Sequence, residues 1–233
     1  MTEVAGVTHR IGVIGFGMIG QALTRPWIEA GHRVTVGSRT PDRRRVEVAA
    51  CGDARCTDQA TAIRESDVVA LCVPYSGLEQ VLEAEVDWTG KVVVDATNPV
   101  ALSPEGRLVS VLPAPGTVGA ALARRVPTAS VVRAFTHVMD ELLVSRGRRH
   151  PGVWAVAMAG DDDAAKQIVG GLVRDTGFVP VDLGHLADSA PLDPGGLLFP
   201  SMLTAADMRV RLDEYAMTRA CSLVQAPAEG GGC

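Results

Sequence analysis

Short apolar runs alternate along most of this chain with stretches whose apolar residues recur at helical spacing. Residues 10–14 (Arg-Ile-Gly-Val-Ile) read as a buried strand, and Gln21-Ala22-Leu23 with Trp27-Ile28 as the apolar face of a helix. A second strand is expected over 33–36, a helix over 41–50 and a short third strand over 55–57, after which Asp58 caps a further helix. Residues 67–73 are almost continuously apolar, the pattern of a parallel strand covered on both faces. A helix over 77–85, a strand over 91–95, a helix over 117–125 and a strand over 130–133 continue the alternation, and strands over 154–159 and 178–182 flank a last helix ending near Asp175. Alternation of this kind specifies an α/β fold of the Rossmann type: a doubly wound, mainly parallel sheet with right-handed crossovers.

The link between the first strand and helix is Gly15-Phe16-Gly17-Met18-Ile19-Gly20. In a G-x-G-x-x-G turn Gly15 makes the bend, Gly17 admits a pyrophosphate against the backbone, and Gly20 lets helix and strand pack closely. Free N–H groups and the positive end of the helix dipole then face the anion. After the second strand comes Gly37-Ser38-Arg39-Thr40, with no carboxylate before Asp42 to accept from both ribose hydroxyls. A hydroxyl and a guanidinium there suit a 2′-phosphate, so NADP(H) is expected rather than NAD. Arg43 joins that set at the start of the next helix, whereas Arg44 and Arg45 read as a solvated face.

In parallel sheets ligands bind beyond the carboxyl ends of the strands. Those ends carry Val73-Pro74-Tyr75, Ala96-Thr97-Asn98-Pro99 and Ala134-Phe135-Thr136-His137. Pro74 and Pro99 stiffen their loops, and Thr97, Asn98, Thr136 and His137 are polar groups able to orient an amide or ring carbonyl. Should the reaction need a proton donor, His137 is the first candidate by position, ahead of His185, Tyr75 and Asp140. The run Asp161-Asp162-Asp163 reads as helix capping rather than as a metal site. Residues 101–115, rich in Pro and Ser, read as a long loop.

After residue 184 the pattern changes. Pro191, Pro194, Gly195 and Gly196 interrupt the chain, and residues 197–224 then show apolar positions at helical spacing, among them Leu203, Met208, Leu212, Tyr215 and Met217. The expected division is a nucleotide-binding unit over 8–184 and a helical segment over 185–233 that closes the substrate site and dimerises, with a disordered tail from about residue 226. Aromatic residues are 4% and the net charge is −5, which argues against a nucleic-acid partner. No apolar run approaches a membrane span and the start of the chain lacks a secretory pattern, so a cytoplasmic location and no membrane partner are expected. Cys51, Cys56, Cys72, Cys221 and Cys233 are scattered, suggesting neither a disulfide framework nor zinc, and no metal is expected.

Gly15 to Gly20, Gly37-Ser38-Arg39, Val73-Pro74-Tyr75, Asp95-Ala96-Thr97-Asn98-Pro99, Arg133-Ala134-Phe135 and Gly160-Asp161-Asp162 together resemble the NADPH-dependent reductases of the deazaflavin coenzyme F420. The resemblance runs from about residue 10 to 182. It implies that Ser38 and Arg39 hold the 2′-phosphate, that Gly17, Met18 and Ile19 face the pyrophosphate, and that the Pro74 and Asn98 loops border the cofactor. It also implies a homodimer and hydride transfer between nicotinamide and a second small-molecule substrate. The chain departs from that family in having Thr136-His137 where Asn-Thr is usual, and Gly184-His185-Leu186 with no arginine before Arg209 where Gly-Pro-Leu is soon followed by one. Reduction of an imine or ketone is the alternative activity, and a non-catalytic NADP-binding redox sensor the alternative class.

Overall fold

The computed structural model describes residues 7–105, 108–111, 116–147 and 149–224, so the tail expected to be disordered lies outside the described residues. The first half runs β1 (Arg10–Ile14), α1 (Met18–Glu29), β2 (Arg33–Gly37), α2 (Pro41–Ala49), β3 (Ala54–Thr57), α3 (Gln59–Arg64), β4 (Val68–Leu71), α4 (Leu78–Leu82) and β5 (Val92–Asp95). It continues through β6 (Val100–Leu102), β7 (Leu108–Ser110), α5 (Val118–Arg125), β8 (Ser130–Ala134), α6 (Asp140–Arg146), β9 (Ala155–Gly160), α7 (Asp163–Asp175), β10 (Val179–Asp182) and α8 (Ala205–Val224). Eight strands form one sheet in the order β10-β9-β8-β5-β4-β1-β2-β3. The chain reverses direction across the sheet between β1 and β4, which pair in parallel through Ile11 with Val68 to Ile14 with Leu71. A crevice at such a reversal is where doubly wound folds take their ligands.

Two apolar layers enclose the sheet. On one face, Leu23 and Trp27 of α1, Val48 of α2, Leu143 of α6 and Val169, Leu172 and Val173 of α7 bury against alternate strand residues. The other face is covered by Ile63, Leu78, Val81 and Leu122, from α3, α4 and α5. Such burial on both sides is what the unbroken apolar run of β4 encodes. Trp27, fully buried, also donates its indole N–H to the Leu172 carbonyl at 3.0 Å and meets the Phe135 ring edge-on.

The structure departs from the sequence expectations at four places. β9 runs antiparallel to β8, with Val132 opposite Gly160 and Ala134 opposite Met158, and β10 follows β9 in parallel. The carboxyl ends of β9 and β10 therefore point away from the crevice. Within the stretch expected as a long loop, the described residues include two antiparallel strands, β6 and β7, whose Val-Ala-Leu and Leu-Val-Ser segments are short enough to be hidden by the surrounding Pro and Ser. Helix α6 was not foreseen. The last helix starts at Ala205 rather than 197: Pro200 offers no N–H, and the Thr204 hydroxyl accepts from the Asp207 N–H at 3.2 Å.

Before α8 the chain climbs across β8 and β9 as two short 3₁₀ turns, Leu186–Asp188 and Ala190–Leu192. Leu192, Leu198 and Met208 bury there against Ala155, Ala157 and Val181. Thr117 donates to the Leu186 carbonyl at 2.6 Å and Thr136 to the Leu192 carbonyl at 3.2 Å. This C-terminal crossing is thus hydrogen-bonded into the sheet.

Candidate dinucleotide and substrate site

Each element of the candidate site is placed by a strand that ends at the crevice. Between β1 and α1, Gly15 has φ +97°, and a Cβ there would stand 2.7 Å from the Cys72 carbonyl oxygen. At Gly20 a Cβ would stand 2.2 Å from the Gly15 carbonyl oxygen, so the helix can approach the turn only without a side chain. Gly17 is the opposite case: a Cβ there would meet nothing within 4 Å, and the residue is exposed. No side chain caps α1 and no acidic residue occupies its first turn. Its leading N–H groups are therefore left without intrahelical or side-chain acceptors beside an open backbone face. Arrangement and charge fit a pyrophosphate.

At the end of β2, Ser38 is 9% exposed; its amide donates to the Thr57 carbonyl and its Oγ accepts from the Thr40 N–H at 3.1 Å, leaving the hydroxyl proton free. The arginines that follow divide into two groups. Arg45 pairs with Asp42 at 3.0 Å and Arg44 with Glu47, both three residues apart on α2. Arg39 and Arg43 are exposed and have no ion-pair partner among the described residues. Two uncommitted guanidiniums beside a donor hydroxyl fit a phosphate ester.

Across the crevice lie Val73-Pro74-Tyr75 after β4 and Thr97-Asn98-Pro99 after β5. Tyr75 is half-buried, and burial pushes its phenol above the ordinary value, so it stays protonated near neutral pH. Thr97 turns inward, its N–H and hydroxyl both donating to Asp95 Oδ1 at 3.0 and 2.7 Å. Asn98 donates from Nδ2 to the Thr136 carbonyl at 2.8 Å, which fixes its amide orientation.

Beneath these loops is a charge cluster that sequence reasoning missed. Arg133 of β8 is fully buried; its Nη1 donates to Asp95 Oδ2 at 2.7 Å and to the Thr97 carbonyl at 3.0 Å, and its Nη2 reaches Asn98 Oδ1 at 3.5 Å. Its Nε stands 2.9 Å from Asp193 Oδ1, off the N–H axis, so that contact is an ion pair rather than an aligned hydrogen bond. Asp193 Oδ2 accepts from the Val118 N–H at 3.1 Å, and burial is the main cause raising its carboxyl above the usual range. A charge in the middle of an apolar strand has to be paired. That rule was the available signal, although no pattern could point across the chain to Asp193.

The expected proton donor is corrected by its surroundings. His137 is fully buried: Nε2 accepts from the Ala157 N–H at 2.9 Å, and Nδ1–H donates to the Ser201 carbonyl at 3.2 Å. Burial pushes its pKa down to about 4. With both nitrogens committed to backbone and no exposed edge, the imidazole braces β9 against the C-terminal crossing and has no access to a substrate. Thr136, 3% exposed, is likewise committed to the crossing through Leu192, so it too braces the fold rather than facing the crevice. These bonds also hold Phe135, buried at φ +63°, in a conformation that costs a non-glycine residue of order 1–2 kcal/mol. His185 lies beyond β10, at the end of the sheet remote from the crevice. The acidic run resolves as expected: Asp162 caps α7, accepting from the Ala164 and Ala165 N–H groups. Among the described residues no group of His, Cys, Asp or Glu is arranged to hold a metal ion.

Residues 10–99, which contain the glycine turn, Ser38, Arg39 and the first two loops across the crevice, match the family model of coenzyme F420-dependent NADP oxidoreductases. That stretch is similar to this family. The F420-dependent oxidoreductase match ends at Pro99, just before β6. The chain is also 28% identical over 193 residues to the metalloreductase STEAP3 of Rattus norvegicus, covering 83% of this chain and 37% of that protein. Among solved structures, a hypothetical protein of Sinorhizobium meliloti superposes with TM-score 0.74 at 28% identity, covering 85% of this chain and 96% of its own. A candidate F420-dependent NADP-reductase of Arthrobacter sp. FB24 gives 0.69 at 24% identity, covering 76% and 86% respectively. The fold is shared with both structures over most of their length.

Proposed function

We propose that this protein is an NADPH-dependent oxidoreductase transferring a hydride between NADP(H) and a second small-molecule substrate, with F420 the acceptor to test first. The observation that carries this reading is the pairing of an uncapped α1 N-terminus beside open Gly17 with the free Ser38 hydroxyl and the unpaired Arg39 at the next strand end. Ser38, Arg39 and Arg43 would hold the 2′-phosphate, and the N–H groups from Gly17 to Ile19 the pyrophosphate. Val73, Pro74, Tyr75, Thr97, Asn98 and Pro99 would border the nicotinamide half. The nicotinamide supplies the hydride; the chain supplies position and exclusion of water.

Transfer between two ring systems needs little acid–base help, and the withdrawal of His137 into the core supports that chemistry over ketone or imine reduction. The family match over residues 10–99 supports the same choice. In this reading the segment after residue 184 forms one wall of the substrate site. The exposed Val210 and Met217 of α8 support a homodimer, and no described helix is long and apolar enough to cross a membrane, in keeping with a cytoplasmic enzyme.

The test is NADPH oxidation, followed at its absorbance band with and without oxidised F420, on wild type and Arg39→Ala. Because Arg39 is exposed, its loss should weaken NADPH by about 1.5 kcal/mol, roughly tenfold, and leave NADH nearly unchanged. Equal losses for both dinucleotides would remove the phosphate assignment. Tight NADPH binding without turnover across F420, imines and ketones would favour a redox sensor.

A further inference from the structure

The buried cluster under the crevice is more than a counter-charge arrangement, because one guanidinium ties two distant parts of the chain, residues 95–98 and the C-terminal crossing. Nη1 holds Asp95 and the Thr97 carbonyl, Nη2 faces Asn98 Oδ1, and Nε lies against Asp193 of the C-terminal crossing. Asn98 is held from both ends: its NH₂ by the Thr136 carbonyl and its oxygen by Arg133. A carbonyl can accept only from the amide nitrogen and a guanidinium can donate only to the amide oxygen, so the side chain has one orientation. The pyrophosphate turn lies at β1 and the 2′-phosphate group at β2, so the other half of a dinucleotide spans the far side of the reversal, over β4 and β5.

We propose that Arg133 is a positioning residue for the nicotinamide half of the dinucleotide, acting through Asn98 and tied by Asp193 to the C-terminal crossing. This rests on the dinucleotide reading above and adds to it a division of labour. The adenosine end is held by Ser38 with the exposed Arg39 and Arg43, after β2 and on α2, and the nicotinamide end by a loop whose shape is set from below by buried charge. A rigid fork with five donors can meet Asp95, Thr97, Asn98 and Asp193 together, four partners for which an ammonium has only three donors. Removing the cation altogether would strand two buried carboxylates.

The discriminating comparison is between NADPH and 2′,5′-ADP, which carries only the adenosine end, each titrated calorimetrically. Arg133→Lys is expected to weaken NADPH about tenfold and to leave 2′,5′-ADP within about twofold. Asn98→Ala should do the same, and the double variant should be no weaker than the worse single one, because both act on one element. Should Arg133→Lys not fold, Asp193→Asn, which can still accept from the Val118 N–H, should give the same selective loss. Equal weakening of both probes, an unchanged NADPH affinity, or additive effects in the double variant would overturn the positioning role while leaving the dinucleotide reading intact. A wild-type protein that binds neither probe would overturn both.

Discussion

His137 offers a quantitative test of how the C-terminal crossing is fastened. Its folded pKa of about 4 against an ordinary 6.5 means that the unfolded chain binds the extra proton first as pH falls. The stabilisation is therefore fully present above pH 6.5 and is lost as pH falls from there to 4. The gap of about 2.5 units corresponds to roughly 3 kcal/mol, lost at no more than about 1.36 kcal/mol per pH unit. In structural terms, protonating Nε2 removes the acceptor of the Ala157 N–H and leaves a charge among buried groups. Urea unfolding of wild type and His137→Gln at half-unit steps between pH 7.5 and 4 isolates the effect, because every other titrating group is common to both. Wild type should be more stable at pH 7.5, and the two curves should converge toward pH 4. Curves that stay parallel throughout would refute the buried neutral imidazole and reopen its role as a proton donor.

Two glycines of one turn should separate folding from binding. Gly20→Ala places a methyl 2.2 Å from a carbonyl oxygen and should cost about 2–3 kcal/mol in denaturant titration, with dinucleotide affinity lost in parallel. Gly17→Ala, whose new methyl meets no protein atom, should keep the wild-type Tm yet bind NADPH more weakly; undiminished affinity would mean that no pyrophosphate approaches that backbone. Thr117→Val removes both the cap of α5 and the bond to the Leu186 carbonyl and should destabilise by about 1–2 kcal/mol; a change below 0.5 kcal/mol would mean the crossing is held by apolar contact alone.

The parallel core was legible because its strands are buried on both faces and their apolar runs admit little else, and the glycine turn because steric demands act on neighbouring residues. Asp58, Thr117 and Asp162 announced helix starts for the same local reason. What sequence did not reveal depends on partners far along the chain. The reversal at β9 turns on pairing with β8, and the roles of His137 and Arg133 were set by Ala157 and Asp193. His137 looked accessible because it follows a strand end at the crevice, and only the crossing, anchored by Leu192 and Ser201, seals it in. The separation of Arg39 and Arg43 from Arg44 and Arg45 likewise follows from which carboxylates α2 brings within reach.

The free arginines that follow β2 have a bearing on how this chain can diverge. In this fold a carboxylate near that turn selects the dinucleotide that lacks the phosphate. If Arg39 and Arg43 hold a 2′-phosphate as proposed, coenzyme preference can drift by exchange of these exposed residues at little cost in stability. No such freedom exists on the other side of the crevice, where Asn98 inherits its shape from charges shared with the far end of the chain. On the proposed reading, descendants of this sequence should therefore change the dinucleotide they use far more readily than the way its reactive ring is presented.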